Sequence, residues 1–198
     1  MRTSRLEAFS DGVLAIIITI MVLELHVPEE PTLAALGGSA TGFLTYLLSF
    51  VYIGIYWNNH HHMLQLTSRV NGAVLWANLH LLFWLSLYPF TTAWMDESDV
   101  APVPALVYGI NLLAAAVAYY VLQQVIIHFE GPDSPLKKAI GSDWKGKVSP
   151  FIYVTGILCT YVSPWLSVAL YAVVAAIWLV PDRRLETFVA QIEQREQS

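Results

Sequence analysis

Long apolar stretches separated by short polar ones set the pattern of this chain. Six stretches of 16 to 25 residues carry few charges: roughly 8–27, 43–64, 73–95, 104–128, 148–163 and 165–180. A helix needs about 20 mostly apolar residues to cross a bilayer, so each predicts a membrane span. The last two are short. Ser163-Pro164 between them reads as a tight turn, because proline disfavours helical geometry at the preceding residue. Residues 129–147 form a polar loop, residues 183–198 a charged tail, and no internal repeat is evident.

Composition strengthens the membrane reading. Hydrophobic residues make up 56% of the 198 and charged residues 13%, against about 25% charged in soluble domains. Seven Trp and ten Tyr fit a protein with two membrane–water interfaces, where amphipathic rings collect. A single cysteine, Cys159, excludes an intrachain disulfide framework. The first apolar stretch lacks a small-residue cleavage site and five others follow it, so it does not read as a cleaved signal.

The ten Lys and Arg fix the expected orientation. Arg2 and Arg5 precede span 1, Arg69 lies between spans 2 and 3, and Lys137, Lys138, Lys145 and Lys147 lie between spans 4 and 5. Arg183, Arg184 and Arg195 follow span 6. With six spans and both termini inside, all ten are cytoplasmic, as short positively charged loops require. That account is preferred over anionic-lipid binding by Arg69 and the loop lysines. The outer side is acidic, with Glu24, Glu29, Glu30, Asp96, Glu97 and Asp99. A negative mouth concentrates cations, although solvated loop acids are the plainer reading.

Span 1 opens with Arg5-Leu-Glu-Ala-Phe9-Ser10-Asp11-Gly12. An ionisable group at a membrane edge is costly and marks function or assembly. With Asp11 at zero on a helical wheel, Leu23, Ile16 and Ile20 fall at about 120°, 140° and 180°. Phe9 lies below this stripe, Thr19 beside it near about 80°, and Ser10 near about 260°. The stripe and the Ser-Asp pair therefore face different ways. Such a stripe by itself is ordinary helix packing.

Polar groups also enter spans 2 and 3: Trp57 and His60-His61-His62 in the second, Asn78 and Pro89-Phe90 in the third. Consecutive helical histidines diverge, so at most two serve one ion. Pairing of His60 and His61 with Ser10 and Asp11 is the expected arrangement, because a buried carboxylate needs partners.

Arg5-x-x-x-Phe9-Ser10-Asp11, Ala15-Ile16, Thr19, Trp57-x-x-His60-His61, Asn78 and Pro89-Phe90 together resemble the bacterial branch of the transmembrane protein 175 family, which are lysosomal-type potassium channels. The motif resemblance covers the first ninety-odd residues. It implies an all-α homotetramer with one motif copy per chain and helix 1 lining a central pore. It further implies a constriction at Ile16 with rings at Ile20 and Leu23, and a potassium preference involving Thr19. A network of Arg5, Phe9, Ser10 and Asp11 with Trp57, His60, His61 and Asn78 would hold helix 1. No carbonyl filter of the Thr-Val-Gly-Tyr-Gly type occurs.

The expected function is thus a potassium-permeable cation channel in the cell membrane. It would need no cofactor beyond permeating potassium and bind no nucleic acid. Apolar rings gate by dewetting. The rival is a proton- or metal-coupled transporter using Asp11 and His60–His62. No nucleophile–base motif or metal-ligand set suggests an enzyme.

Overall fold

A computed structural model describes residues 3–141 and 143–179. The expected tail 183–198, the end of the sixth stretch at Val180, and Arg2, Arg183, Arg184 and Arg195 lie outside the described residues. The described chain is helical throughout: α1 (Thr3–Leu23), α2 (Leu33–Gly38), α3 (Ala40–Gln65), α4 (Gly72–Ser86), α5 (Tyr88–Glu97), α6 (Pro102–Glu130), α7 (Pro135–Ile140), α8 (Trp144–Cys159) and α9 (Pro164–Leu179). Four stretches are long and apolar enough to cross a membrane: α1, α3, α4 with α5, and α6. The expected fifth and sixth spans correspond to α8 and α9. α8 has 16 residues, short of the about 20 a straight crossing takes, and of α9 the residues Pro164–Leu179 are described.

Chain chemistry explains the boundaries. α1 begins about a turn before its apolar run, with Arg5 exposed and Glu7 half-buried on different sides of that first turn. It stops at Leu23, ahead of Val27-Pro28. The third stretch breaks at Leu87. Pro89 has no N–H to give the preceding turn, which kinks a helix. Pro102 stands at the first turn of α6, and Gly131 (φ 90°) ends it, donating its N–H to the Ile127 carbonyl at 3.0 Å. Pro in the first turn and a left-handed glycine at the end is the favoured pairing. Asp143 caps α8 by accepting the Gly146 N–H at 2.8 Å.

The helices pack α4 on α6, α8 on α9, α6 on α8, and α1 against α3, α4 and α5. At the centre five tyrosines close a ring. Tyr52, Tyr88, Tyr108, Tyr171 and Tyr153 follow one another with centroids 6.0–6.4 Å apart. Such tilted contacts suit the aromatic quadrupole. Most of the hydroxyls are satisfied. Tyr52 donates to the Tyr171 carbonyl at 2.6 Å, and Tyr108 pairs with Ser49 at 3.0 Å, which pairs with Thr92 at 2.7 Å. The Tyr88 hydroxyl has no partner among the described residues.

Two ends emerge from the loop contacts. Thr3 donates to the Thr67 carbonyl at 3.2 Å, and the Ser68 N–H and hydroxyl both reach Glu130 at 2.7 and 3.1 Å. Arg69 lies over the Phe129 ring. The start of α1 and the loops after α3 and α6 therefore meet. At the other end Asp99 accepts from Thr41 at 3.0 Å, and Asp96 lies 3.7 Å from His26.

A two-faced first helix and its buried anchor

α1 presents two faces of opposite character. Leu6, Ser10, Leu14, Ile17 and Met21 are buried against the bundle. Phe9, Ile16, Thr19, Ile20 and Leu23 are exposed on the protomer, Ile16 at 59% and Leu23 at 81%. Spacings of three and four produce both stripes, because such neighbours stack along one helix face. The apolar stripe is thus left largely uncovered by its own bundle. The Thr19 hydroxyl donates to the Ile16 carbonyl at 2.8 Å, so its oxygen remains free to accept.

The buried face is fixed by a chain of hydrogen bonds. His60 Nε2 lies 2.7 Å from Asn78 Oδ1, an acceptor, so that nitrogen carries the proton and donates. Asn78 Nδ2 donates to Ser10 Oγ at 3.0 Å, and Ser10 donates to the Leu6 carbonyl at 2.9 Å. All three side chains are essentially solvent-free. One string therefore ties α3, α4 and α1. Each bond contributes about 1 kcal/mol net, and breaking one strands buried polar groups at greater cost.

The acid–histidine pairing differs from expectation. His61 Nδ1 lies 2.6 Å from Glu7 Oε1, not from Asp11. Glu7 is one turn before Asp11 on the same side of α1, nearer the open end, where a charged pair is cheaper to solvate. Trp57 stacks on His61 with centroids 6.3 Å apart and is half exposed. His60 reaches Ser10 through Asn78 instead of directly. Asp11 Oδ1 is buried with no partner among the described residues. Arg5 is exposed, with no hydrogen bond or ion pair among them. His62 turns to Gln65 on its own helix at 3.4 Å. The three histidine rings thus go three ways, and no trio of His, Cys, Asp or Glu among the described residues is placed to hold a metal.

Of the expected acidic mouth, Glu24, Glu29 and Glu30 are exposed near the end of α1. Asp96 is drawn inward, over Gly42, and Asp99 is bonded to Thr41. The described Lys and Arg sit at the opposite end, on α1's start, the loop after α3, α7 and the first turn of α8.

Comparison with known proteins adds weight to this architecture. The sequence profile of the endosomal/lysosomal potassium channel TMEM175 matches residues 5–89. A potassium channel of a Chryseobacterium species (strain P1-3) is 54% identical over 186 residues, covering 94% of this chain and 97% of that protein. The chain belongs to the TMEM175 family. The crystal structure of a lysosomal potassium-selective TMEM175 homolog from Chamaesiphon minutus superposes with a TM-score of 0.73 at 32% identity, covering 89% of this chain and 95% of that one. A zebrafish (Danio rerio) endosomal/lysosomal proton channel of the family is 27% identical over 136 residues, 66% of this chain but 25% of its own length.

The matched stretch of this TMEM175 relative runs from Arg5 to Pro89, so it contains the outward stripe and every member of the anchor. Likeness to the Chryseobacterium protein extends much further than the motif, across most of the chain. Sequence reasoning missed Glu7 as the partner of His61. Its one signal was position, a turn before Asp11 at the lip of the helix.

Proposed function

We propose that this protein is a potassium-permeable cation channel in which α1 from four copies lines a central pore. The observation that carries the reading is the outward apolar face of α1. Ile16, Ile20 and Leu23 are exposed on a helix whose other side is locked to the bundle. The names of the family and its relatives point to potassium. In the membrane, α8 and α9 complete six crossings as a re-crossing hairpin. Both termini and the basic end then lie in the cytoplasm. The transmembrane unit is residues 1–182, and residues 183–198 are its cytoplasmic tail.

The Ile16 ring is the constriction, with Ile20 and Leu23 as further rings toward the outer mouth. A ring too narrow for a hydrated ion dewets and closes, and rotation or tilt of α1 widens it. Thr19, beside the stripe, offers hydroxyl oxygens where the apolar rings offer none. Without a carbonyl filter, potassium preference over other monovalent cations is modest. Glu24, Glu29 and Glu30 raise the cation concentration at the mouth. Arg5, Phe9 and Trp57, exposed on the protomer, serve contacts between copies, and Arg5 supplies the missing partner of Asp11.

The test is potassium efflux from loaded proteoliposomes. Ile16→Asn hydrates the constriction. A barrier lowered by about 1.4 kcal/mol multiplies flux about tenfold. Unchanged flux in Ile16→Asn and Ile20→Asn, with loss on altering α6–α9, would remove the pore from α1. Accumulation of an ion against its gradient would instead support coupled transport.

A further inference from the structure

A second feature lies on the far side of the protomer from the α1 stripe. α3, α6, α7, α8 and α9 enclose an open cavity of about 780 Å³. That is the size of a ligand pocket, typically about 300–1,000 Å³ with apolar walls and a few placed polar groups. Its walls include Ile55, Val117, Phe151 and Trp178, and Lys137 and Lys147 stand at its rim. Both lysines are exposed and make no ion pair among the described residues. Asp143 shares the rim, with its carboxylate occupied as the α8 cap.

Two polar groups line the cavity away from the lysines. Gln123 is 6% exposed, lines the cavity and forms no hydrogen bond among the described residues. The Tyr56 hydroxyl, on a residue 8% exposed, is likewise unbonded and faces the same space. Both groups are therefore available to an occupant that carries hydrogen-bond acceptors. Gln123 lies seven residues before the end of α6, about 10 Å along the axis, below the level of the lysines.

We propose that this cavity holds an anionic phospholipid of the cytoplasmic leaflet. The phosphate lies between Lys137 and Lys147. An ester carbonyl accepts from Gln123 and the Tyr56 hydroxyl, and one acyl chain follows the apolar wall. Basic pockets between membrane helices on the cytoplasmic side suit such headgroups. The order of groups, cation at the rim, donors below it and apolar wall beyond, matches the order along a phospholipid. The proposal needs the membrane reading but not ion conduction, so its failure and that of the pore are separate.

The test is lipid retention by the purified full-length protein, read by native mass spectrometry without ion flux. Phosphatidylglycerol and phosphatidylcholine with identical chains are offered in competition, and oleate separately. Phosphatidylglycerol is retained preferentially, each lysine accounting for roughly a fivefold bias. Lys137→Gln with Lys147→Gln brings the two lipids to parity, whereas Lys138→Gln, outside the lining, leaves the bias intact. Gln123→Leu lowers retention of both lipids and keeps their ratio, since the ester is common to both. Equal retention by the unaltered protein, retention of neither, a bias that survives loss of both lysines, or uptake of oleate with exclusion of phosphatidylglycerol each overturns the assignment.

Discussion

Asn78 decides more than any other single residue. It accepts from His60 with one end of its amide and donates to Ser10 with the other. Asn78→Leu keeps the volume and strands the His60 N–H in a buried site, at about 1–3 kcal/mol. Ser10→Ala spares the His60–Asn78 bond and strands one Asn78 N–H, where Asn78→Leu leaves both His60 and Ser10 short of a partner, so it should cost less, near the lower end at about 1 kcal/mol. Thermal unfolding in detergent, followed by tryptophan fluorescence, should rank the two in that order; equal losses would mean the string does not act through Asn78. Asn111 predicts the opposite sign. Both of its amide atoms are buried in α6 without a partner among the described residues, so Asn111→Leu should raise the melting temperature. A fall would show that the buried amide is not a net cost to the fold.

At the scale of elements, α9 approaches α6 and α8 only because two glycines permit it. A Cβ on Gly109 would strike the Tyr171 hydroxyl, and one on Gly156 would press on the same ring. Overpacking of this kind costs about 1–3 kcal/mol. Gly109→Ala should therefore lower stability by that amount, and by only somewhat less in a Tyr171→Phe background, where the oxygen is gone but the ring edge and Ile157 still crowd the new methyl. Identical costs in both backgrounds would show that the clash is not with that hydroxyl. The positions of the long apolar helices were legible in the sequence because apolar runs and prolines are local signals, whereas α2, α7 and the first turn of α8 fall in polar stretches that read as connections or loop. The Phe9-Ser10-Asp11 motif and the wheel separated the two faces of α1. The Glu7–His61 pair and the tyrosine ring were not legible, because both depend on how distant helices rotate against one another. The unfilled amide of Gln123 escaped for the same reason, since its surroundings come from five different helices.

For the whole molecule, the exposed stripe makes a geometric demand. If four copies of α1 surround an axis, residues on the stripe meet their counterparts and residues on the buried face do not. The single native cysteine makes this testable: in a Cys159→Ser background, Ile16→Cys together with Leu23→Cys gives two reactive levels per copy. One level alone links only pairs, because each sulfur makes one bond. Two levels allow adjacent copies to be joined in series, so mild oxidation should yield a ladder ending at four. Bridging requires Cα atoms within about 7 Å, which a narrow pore satisfies at its tightest level; a short bifunctional thiol reagent covers the wider one. Ile17→Cys, on the buried face at 3% exposure, should give no ladder. Asp11→Ala should collapse the ladder while protomers keep their helicity and ion preference changes little, since the carboxylate lies off the stripe and lacks a partner within one copy. A ladder ending at two, equal crosslinking through Ile17→Cys, or an intact Asp11→Ala tetramer with inverted ion preference would each require another arrangement of α1.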